Sequence, residues 1–447
     1  MKRRTLLAGT AALAAAPLLR VPPAQAQAAK TKIVWWHAMT AANADQVNHI
    51  AETFNQSQAA IEVQAIYKGG YPDVLNETIA ASRAGQAPHL AQIFEVGTGT
   101  MLAAGKATKQ VWELSKETGV AIDPKTYIPS VRGYYSLADG RMASMPFNSS
   151  TALMWYSKDA FRKAGLDPDK PPTTWEDVVK ATQAIKDKNA AEVPSTSSWF
   201  SWIQLEQYSA LHNLPFASEA DGFDGLGAKL EINSKPHVKQ MARLFEMAKN
   251  GTFKYTGRDT APDQVLLSGQ AGIHFSSSAE RGDLVKSAKF DWAPAYLPYD
   301  PEIIKSPLNS IIGGASLWTM TAPGRTPAEY KAVATFLNFI GKPENDAYWH
   351  QHTGYVAVTL AGFDLSKQQG FYAKNPGADL PVLQLERGTV SKYSKGLRLG
   401  RLAEIRNIIY EEVEKGFQGN QTAQQAMDNA VERGDKVLRE FQKSVKG

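Results

Sequence analysis

His350 and His352 flank Gln351, a spacing at which two imidazoles can share a metal ion. No acidic company joins them, and the commoner use of such a pair is structural or surface placement. The run Thr98-Gly99-Thr100 through Gly105-Lys106 has the outline of a phosphate loop. Thr100 stands where the first loop glycine belongs and Ala107 where the Ser or Thr belongs, so that reading fails. The chain has no G-x-S-x-G nucleophile elbow and no H-E-x-x-H zinc pattern. It also lacks cysteine, which removes thiolate nucleophiles, disulfides, thiolate metal sites and a lipidated cysteine anchor. The sequence therefore predicts no catalytic residue, no metal site and no cofactor.

The amino-terminal residues explain where such a chain works. Lys2, Arg3 and Arg4 precede an apolar run from Leu6 to Leu19, and Ala24-Gln25-Ala26 or Ala26-Gln27-Ala28 supplies small residues for cleavage. The apolar run is shorter than the ~20 residues of a spanning helix. Residues 1–29 read as a secretory signal cleaved near 26–28, with Sec and Tat export both open, and the mature protein as a freely soluble periplasmic one. Of 49 Lys and Arg, four (Lys2, Arg3, Arg4, Arg20) leave with the signal, so 45 basic residues face 44 acidic ones. That balance argues against nucleic acid as a partner.

About 420 mature residues exceed what one core usually serves, and two domains are expected. Ile33–Trp36 reads as a strand, and Val47, Ile50, Ala51 and Phe54 share a helical face. Ile61, Val63, Ala65 and Tyr67 alternate as a strand does, a helix is expected over 73–84, and Leu90–Phe94 returns as a strand. The order βαβαβ predicts an α/β architecture. A second set starts at Leu153–Tyr156, followed by a helix over 158–164 and another that Thr174 and Asp177 open with a capping box. Ile311–Trp318 is a late apolar run containing Gly313-Gly314, and two amphipathic helices finish the chain.

Several segments together carry a family resemblance. Tyr156-Ser157-Lys158-Asp159-Ala160-Phe161, Lys163-Ala164-Gly165-Leu166-Asp167-Pro168 and Thr174-Trp175-Glu176-Asp177 resemble the signature stretch of the extracellular solute-binding proteins of ABC importers, the maltose-binding-protein-like family 1. Tyr67–Tyr71, Phe94–Thr98, Pro146–Ser150, Trp202–Glu206, Ile311–Trp318, Trp349–Gln351 with Thr353–Tyr355, and Lys395–Gly400 are similar to the branch of that family that binds sn-glycerol 3-phosphate. The resemblance spans essentially the whole mature chain. It implies a type II, two-lobe periplasmic-binding-protein fold with hinge closure around a central cleft. Matched to this sequence, lobe 1 is residues 30–149 plus 314–356, and lobe 2 is 151–310 plus 360–447.

The resemblance also implies the site. Arg406 matches the family's phosphate-binding arginine, whose planar fork suits phosphate oxygens; taken on its own it is a helix-surface arginine with Glu404 near enough to pair. Ser150 and Ser277 match donors to the ligand, the latter in a three-serine run that leaves its register open, and Gly314 matches a glycine where backbone approaches ligand. Glu95 matches the acceptor of glycerol hydroxyls, and Tyr71 and Tyr355 match tyrosines that close over the ligand. Trp199 and Trp202 match a pair that walls the pocket, and His37 matches a position at the cleft with no assigned role. The expected function is a non-enzymatic receptor delivering glycerol 3-phosphate to the membrane subunits of an ABC importer. A receptor for glycerophosphodiesters such as glycerophosphocholine is the alternative, and a periplasmic phosphodiesterase a more distant one. On this reading, truncating Arg406 weakens binding and leaves the melting transition near that of the parent.

Overall fold

A computed structural model describes residues 30–446; the signal-peptide reading falls on residues 1–29 and lies outside them. Ten strands follow one another: β1 (Thr31–His37), β2 (Ile61–Tyr67), β3 (Leu90–Phe94), β4 (Thr108–Lys109), β5 (Met145–Ser150), β6 (Ala152–Ser157), β7 (Val193–Ser197), β8 (Ala271–Ser277), β9 (Trp292–Ala295) and β10 (Gly313–Met320). They form two sheets. In the first, the order is β2-β1-β3-β10-β4, with β5 also paired to β10; β1 runs parallel to β2 and β3, and β10 antiparallel to its partners. In the second, the order is β7-β8-β6-β9, with β7 and β8 parallel.

Sequence patterning accounts for the placement. Ile33, Trp35 and His37 alternate into the core from β1, whereas all five residues of β3, flanked by strands on both sides, are buried. The helix Ala41–Ser57 lays Val47, Ile50, Ala51 and Phe54 against the first sheet, as its periodicity predicts. The second helix spans Tyr71–Arg83, starting two residues before the sequence-based bound because Asp73 Oδ2 accepts from Gly70 N (2.8 Å) and caps it. In the second half, Thr174 Oγ1 accepts from Asp177 N (3.1 Å) while Asp177 Oδ2 accepts from Thr174 N (3.2 Å), the expected capping box.

The chain passes between the sheets twice, from β5 to β6 and from β9 to β10, and a later segment, 356–359, is bound to the first passage. Thr151, the single residue between β5 and β6, donates to Ser310 Oγ (2.7 Å) or the Ile311 carbonyl (3.0 Å) on the second passage. In that later segment, Val356 N donates to the Ser149 carbonyl (2.8 Å). Asp346 fixes its far end, with Oδ1 accepting from Val358 N (3.0 Å) and Oδ2 from Thr359 N (2.8 Å) and Thr359 Oγ1 (2.6 Å). Gly314 takes φ +84 and a Cβ there would collide with the Asn148 carbonyl, so the β10–β5 pairing itself requires glycine. Among the described residues, no helix is long and apolar enough to cross a membrane.

Candidate functional site

The carboxyl ends of β1 and β3 in the first sheet face the ends of β5, β8 and the start of β10, and a cavity of about 410 Å³ lies between them. Tyr71, Glu95, Ser150, Trp199, Trp202, Ser277, Gly314, Tyr355 and Arg406 all line it. The nine residues singled out by resemblance are thus brought to one place from nine separate points along the chain. His37 stops one step short: it is buried behind Ala38 and Met39, and its Nδ1 accepts from Met39 N (3.3 Å). Burial pushes the imidazole down to about 4, so it is neutral.

Arg406 sits on the helix Leu402–Phe417 and is only 6% exposed. Glu206 takes it in a two-pronged pair, accepting from Nε (2.7 Å) and Nη2 (2.8 Å), while Nη2 also donates to Glu95 Oε1 (2.7 Å). Glu206 and Arg406 belong with the second sheet's half, and Glu95 follows β3 of the first, so Arg406 spans the cleft. Its Nη1 group has no partner among the described residues and remains for the cavity. Burial opposes the charge on Arg406, but the two carboxylates more than offset it and hold the guanidinium well above its ordinary value. Glu95 is raised, burial outweighing the pull of Arg406. Glu404 does not pair with Arg406; it pairs with Arg401 (2.5 Å).

Another part of the wall is built on uncharged groups. Ala38 N donates to Gln92 Oε1 (2.7 Å), Gln92 Nε2 to Asn148 Oδ1 (2.8 Å), and Asn148 Nδ2 to the Tyr71 hydroxyl (2.7 Å), which lies 3.3 Å from the Tyr355 hydroxyl. Each tyrosine is thereby oriented by a chain of buried amides. The ring of Tyr71 stacks on Phe94 at 5.5 Å and 7°. Within the serine run the register is now fixed: Ser277 faces the cavity, Ser276 Oγ donates to Asp263 (2.8 Å), and Ser278 Oγ accepts from Thr151 N (3.3 Å).

The two tryptophans are held differently. Trp199 is partly buried, has φ +45, and donates its backbone N–H to the Asp259 carbonyl (2.9 Å). Trp202 begins a wide-turned π-helical segment, Trp202–Gln207, in which every residue is buried. Such wide turns recur at functional sites, and here one places Trp202 on the cavity and Glu206 on Arg406. Glycine at 313 is what lets Trp202 in, since a Cβ there would overlap its ring.

Glu206, Asn148 and Gln92 were not among the expected site residues, nor were the acidic lining residues Asp259, Glu280 and Asp283. Burial, together with the adjacent Asp263, pushes Glu280 well above the carboxylate range. His350 is not a metal ligand in this arrangement: Nδ1 donates to the Tyr355 carbonyl (2.6 Å) and Nε2 accepts from Tyr372 Oη (2.8 Å), so it props the Tyr355 turn. Burial lowers it to about 4. No group of three or more potential metal-binding side chains occurs among the described residues.

Comparison with known proteins places this geometry in context. The family model for bacterial extracellular solute-binding proteins matches residues 49–378. The sn-glycerol-3-phosphate-binding periplasmic protein UgpB of Escherichia coli strain K12 is 44% identical over 419 residues, covering 94% of this chain and 95% of its own. The same protein of Salmonella paratyphi A gives equal figures. Among solved structures, UgpB from Mycobacterium tuberculosis in complex with glycerophosphocholine superposes with a TM-score of 0.76 at 21% identity, covering 93% of this chain and all of the other. The cyclic alpha-maltosyl-1,6-maltose binding protein from Arthrobacter globiformis gives 0.74 at 19%, covering 92% of this chain and all of the other. The shared fold is the two-lobe one with a cleft between α/β halves.

Proposed function

This chain belongs to the bacterial extracellular solute-binding proteins, and on that premise we propose that it is an exported, periplasmic receptor that captures sn-glycerol 3-phosphate and delivers it to an ABC importer, catalysing no reaction itself. The observation that carries the reading is Arg406, buried between the lobes with Nη1 left for the cavity and its other nitrogens committed to Glu206 and Glu95. A guanidinium so held presents a fixed donor pair to one phosphoryl oxygen. The hydroxyls of Tyr71, Tyr355, Ser150 and Ser277 supply partners for the rest of a small polyol phosphate. The lobes close as bodies divided at residues 149–151, 310–314 and 356–360.

A second reading, a glycerophosphodiester receptor, has its own support. Among the described residues, Arg406 is the one basic side chain lining the cavity, whereas Glu95, Asp259, Glu280 and Asp283 are acidic. An acidic lining suits a ligand with a cationic head. Titration calorimetry with glycerol 3-phosphate, glycerophosphocholine and maltose, with and without EDTA, tests both. One-to-one binding of glycerol 3-phosphate that chelator leaves unchanged is the expected result; binding restored only by a divalent ion, or binding of maltose alone, overturns the assignment.

A further inference from the structure

Charge balance around Arg406 has a consequence for how a phosphoryl ligand binds. Three contiguous buried side chains, Arg406, Glu95 and Glu206, sum to one negative charge when all are ionised. A phosphate monoester above pH ~6 brings two more negative charges into this desolvated site, a phosphodiester one. The two glutamates are not equivalent. Both oxygens of Glu206 are occupied by Arg406, and Oε1 also accepts from Ser201 Oγ (3.1 Å). Glu95 uses Oε1 alone and lines the cavity. A proton on its other oxygen removes one negative charge and creates a donor facing the ligand.

Among the carboxylates on the cavity, Glu95 is the one bonded to Arg406 that keeps an oxygen free of it; Asp259, Glu280 and Asp283 line the cavity without touching Arg406, and Glu280 is already raised by burial. Facing Glu95, from the second half come Arg406 and Glu206; from the first come the hydroxyls of Tyr71, Tyr134, Tyr135 and Tyr355, all buried and all raised by that burial, hence neutral. Arg406 is the one cation among them. Resting on the phosphoryl-receptor reading, we propose that the site takes up one solvent proton, on Glu95, when it binds a phosphate monoester dianion, and none when it binds a phosphodiester monoanion. Glu206 imposes the difference as a positioning residue: it holds the guanidinium in place and cancels its charge. The upward displacement of Glu95 in the free protein agrees in direction.

The test is calorimetry at pH 8 in Tris and in HEPES, whose ionisation heats differ, so that the change in observed heat counts protons. Glycerol 3-phosphate is expected to take up close to one proton and glycerophosphocholine none, and monoester affinity to fall up to tenfold per pH unit above neutrality. In Glu95→Gln and in Glu206→Gln the monoester count falls towards zero, a change that a purely structural role does not produce. Full monoester binding with no proton uptake overturns the proposal while leaving the receptor reading intact. Uptake that persists in Glu95→Gln places the proton on the ligand or on another lining carboxylate, Asp259, Glu280 or Asp283, and also overturns it. Failure of the parent protein to bind either ligand overturns the receptor reading and this proposal together.

Discussion

Arg398 Nη2 reaches from the carboxyl-terminal half to the Ser136 carbonyl of the first (2.7 Å), and donates to the Tyr134 carbonyl as well (3.0 Å). Its backbone N–H is fixed by the Asp221 carbonyl (2.9 Å), and its guanidinium lies 4.1 Å over the Phe223 ring. Burial lowers it to about 10, so it remains charged at neutral pH. Next to it, the Leu399 carbonyl approaches Gly99 so closely that a Cβ would stand 2.6 Å away. Like Arg406, this is a place where residues of the two halves touch.

Arg398→Ala is expected to remove two charge-assisted hydrogen bonds and leave two carbonyls without their donor. Hydrogen bonds of this kind contribute about 1.5–3 kcal/mol each, net of exchange with water, and less where water reaches the carbonyls in the variant. A stability loss of about 2–4 kcal/mol in urea titration, with ligand affinity reduced about tenfold though Arg398 does not line the cavity, is the anticipated pattern. Gly99→Ala, which holds the same surfaces apart, should lower affinity with a smaller stability loss. Unchanged affinity in both variants would show that these contacts do not govern lobe closure.

Arg406→Ala has a different expected effect from the one the sequence suggests. As a lone cleft arginine its loss would spare the melting transition, but the structure surrounds it with two buried carboxylates. Removing one partner of a buried ion pair leaves uncompensated charge at a cost of about 3–5 kcal/mol. The variant should therefore melt well below the parent and bind glycerol 3-phosphate at least ten- to hundredfold more weakly. Arg406→Ala with Glu206→Gln should regain part of the stability and none of the affinity. A melt that matches the parent would mean that the glutamates protonate without penalty.

What was legible in the sequence was local or carried by resemblance. The Thr174–Asp177 box was readable because both partners lie within one helical turn, and β1 because Ile33–Trp36 is a short, unbroken apolar run. The Glu95–Arg406 pair spans 311 positions and the Glu206–Arg406 pair 200, and no periodicity registers a contact at such range. The resemblance brought Arg406 and Glu95 forward singly and assigned them to opposite ends of the ligand; only the fold shows them bonded. The turn Ser218–Gly222 was illegible for another reason. Glu219, Ala220 and Asp221 all take left-handed angles that L-residues disfavour by roughly 1–2 kcal/mol each. Tertiary bonds hold them there, including Asp221 Oδ1 accepting from Phe216 N (2.9 Å) and Ala217 N (2.8 Å).

Asp346 gives a pH prediction. Burial raises its carboxyl to about 6 against three donors from Val358 and Thr359. The native state therefore binds its proton more tightly than the unfolded chain, whose aspartates titrate near 3.9. Between about pH 4 and 6 the native state holds more protons, so this residue's stabilising contribution, full below pH 4, is lost as pH rises through 6. Asp346→Asn should be less stable at every pH, since an amide offers one acceptor oxygen in place of two. Its stability should also fall less than the parent's between pH 4 and 6, by up to about 3 kcal/mol. Urea titrations at pH 4, 5, 6 and 7 measure this; identical slopes in parent and variant would assign the titration elsewhere.

Trp199 and Trp202 wall the same cavity, yet Trp202 is buried within the core and Trp199 only packs against its edge. Trp202 lies against Gly313 and is 4% exposed, so truncating it opens the interior beside β10. Trp199 is partly exposed, occupies a left-handed position, and borders Asp259, one of the acidic lining residues. Trp199→Leu should cost little stability and enlarge the cavity on its acidic side. Glycerol 3-phosphate affinity should fall through lost packing, while glycerophosphocholine, whose cationic head has the new space and Asp259 to meet, should bind more tightly. Paired titrations on parent and variant read the ratio of the two affinities. An equal loss for both ligands, or a parent that already prefers the diester, would make Trp199 a structural residue with no part in selectivity.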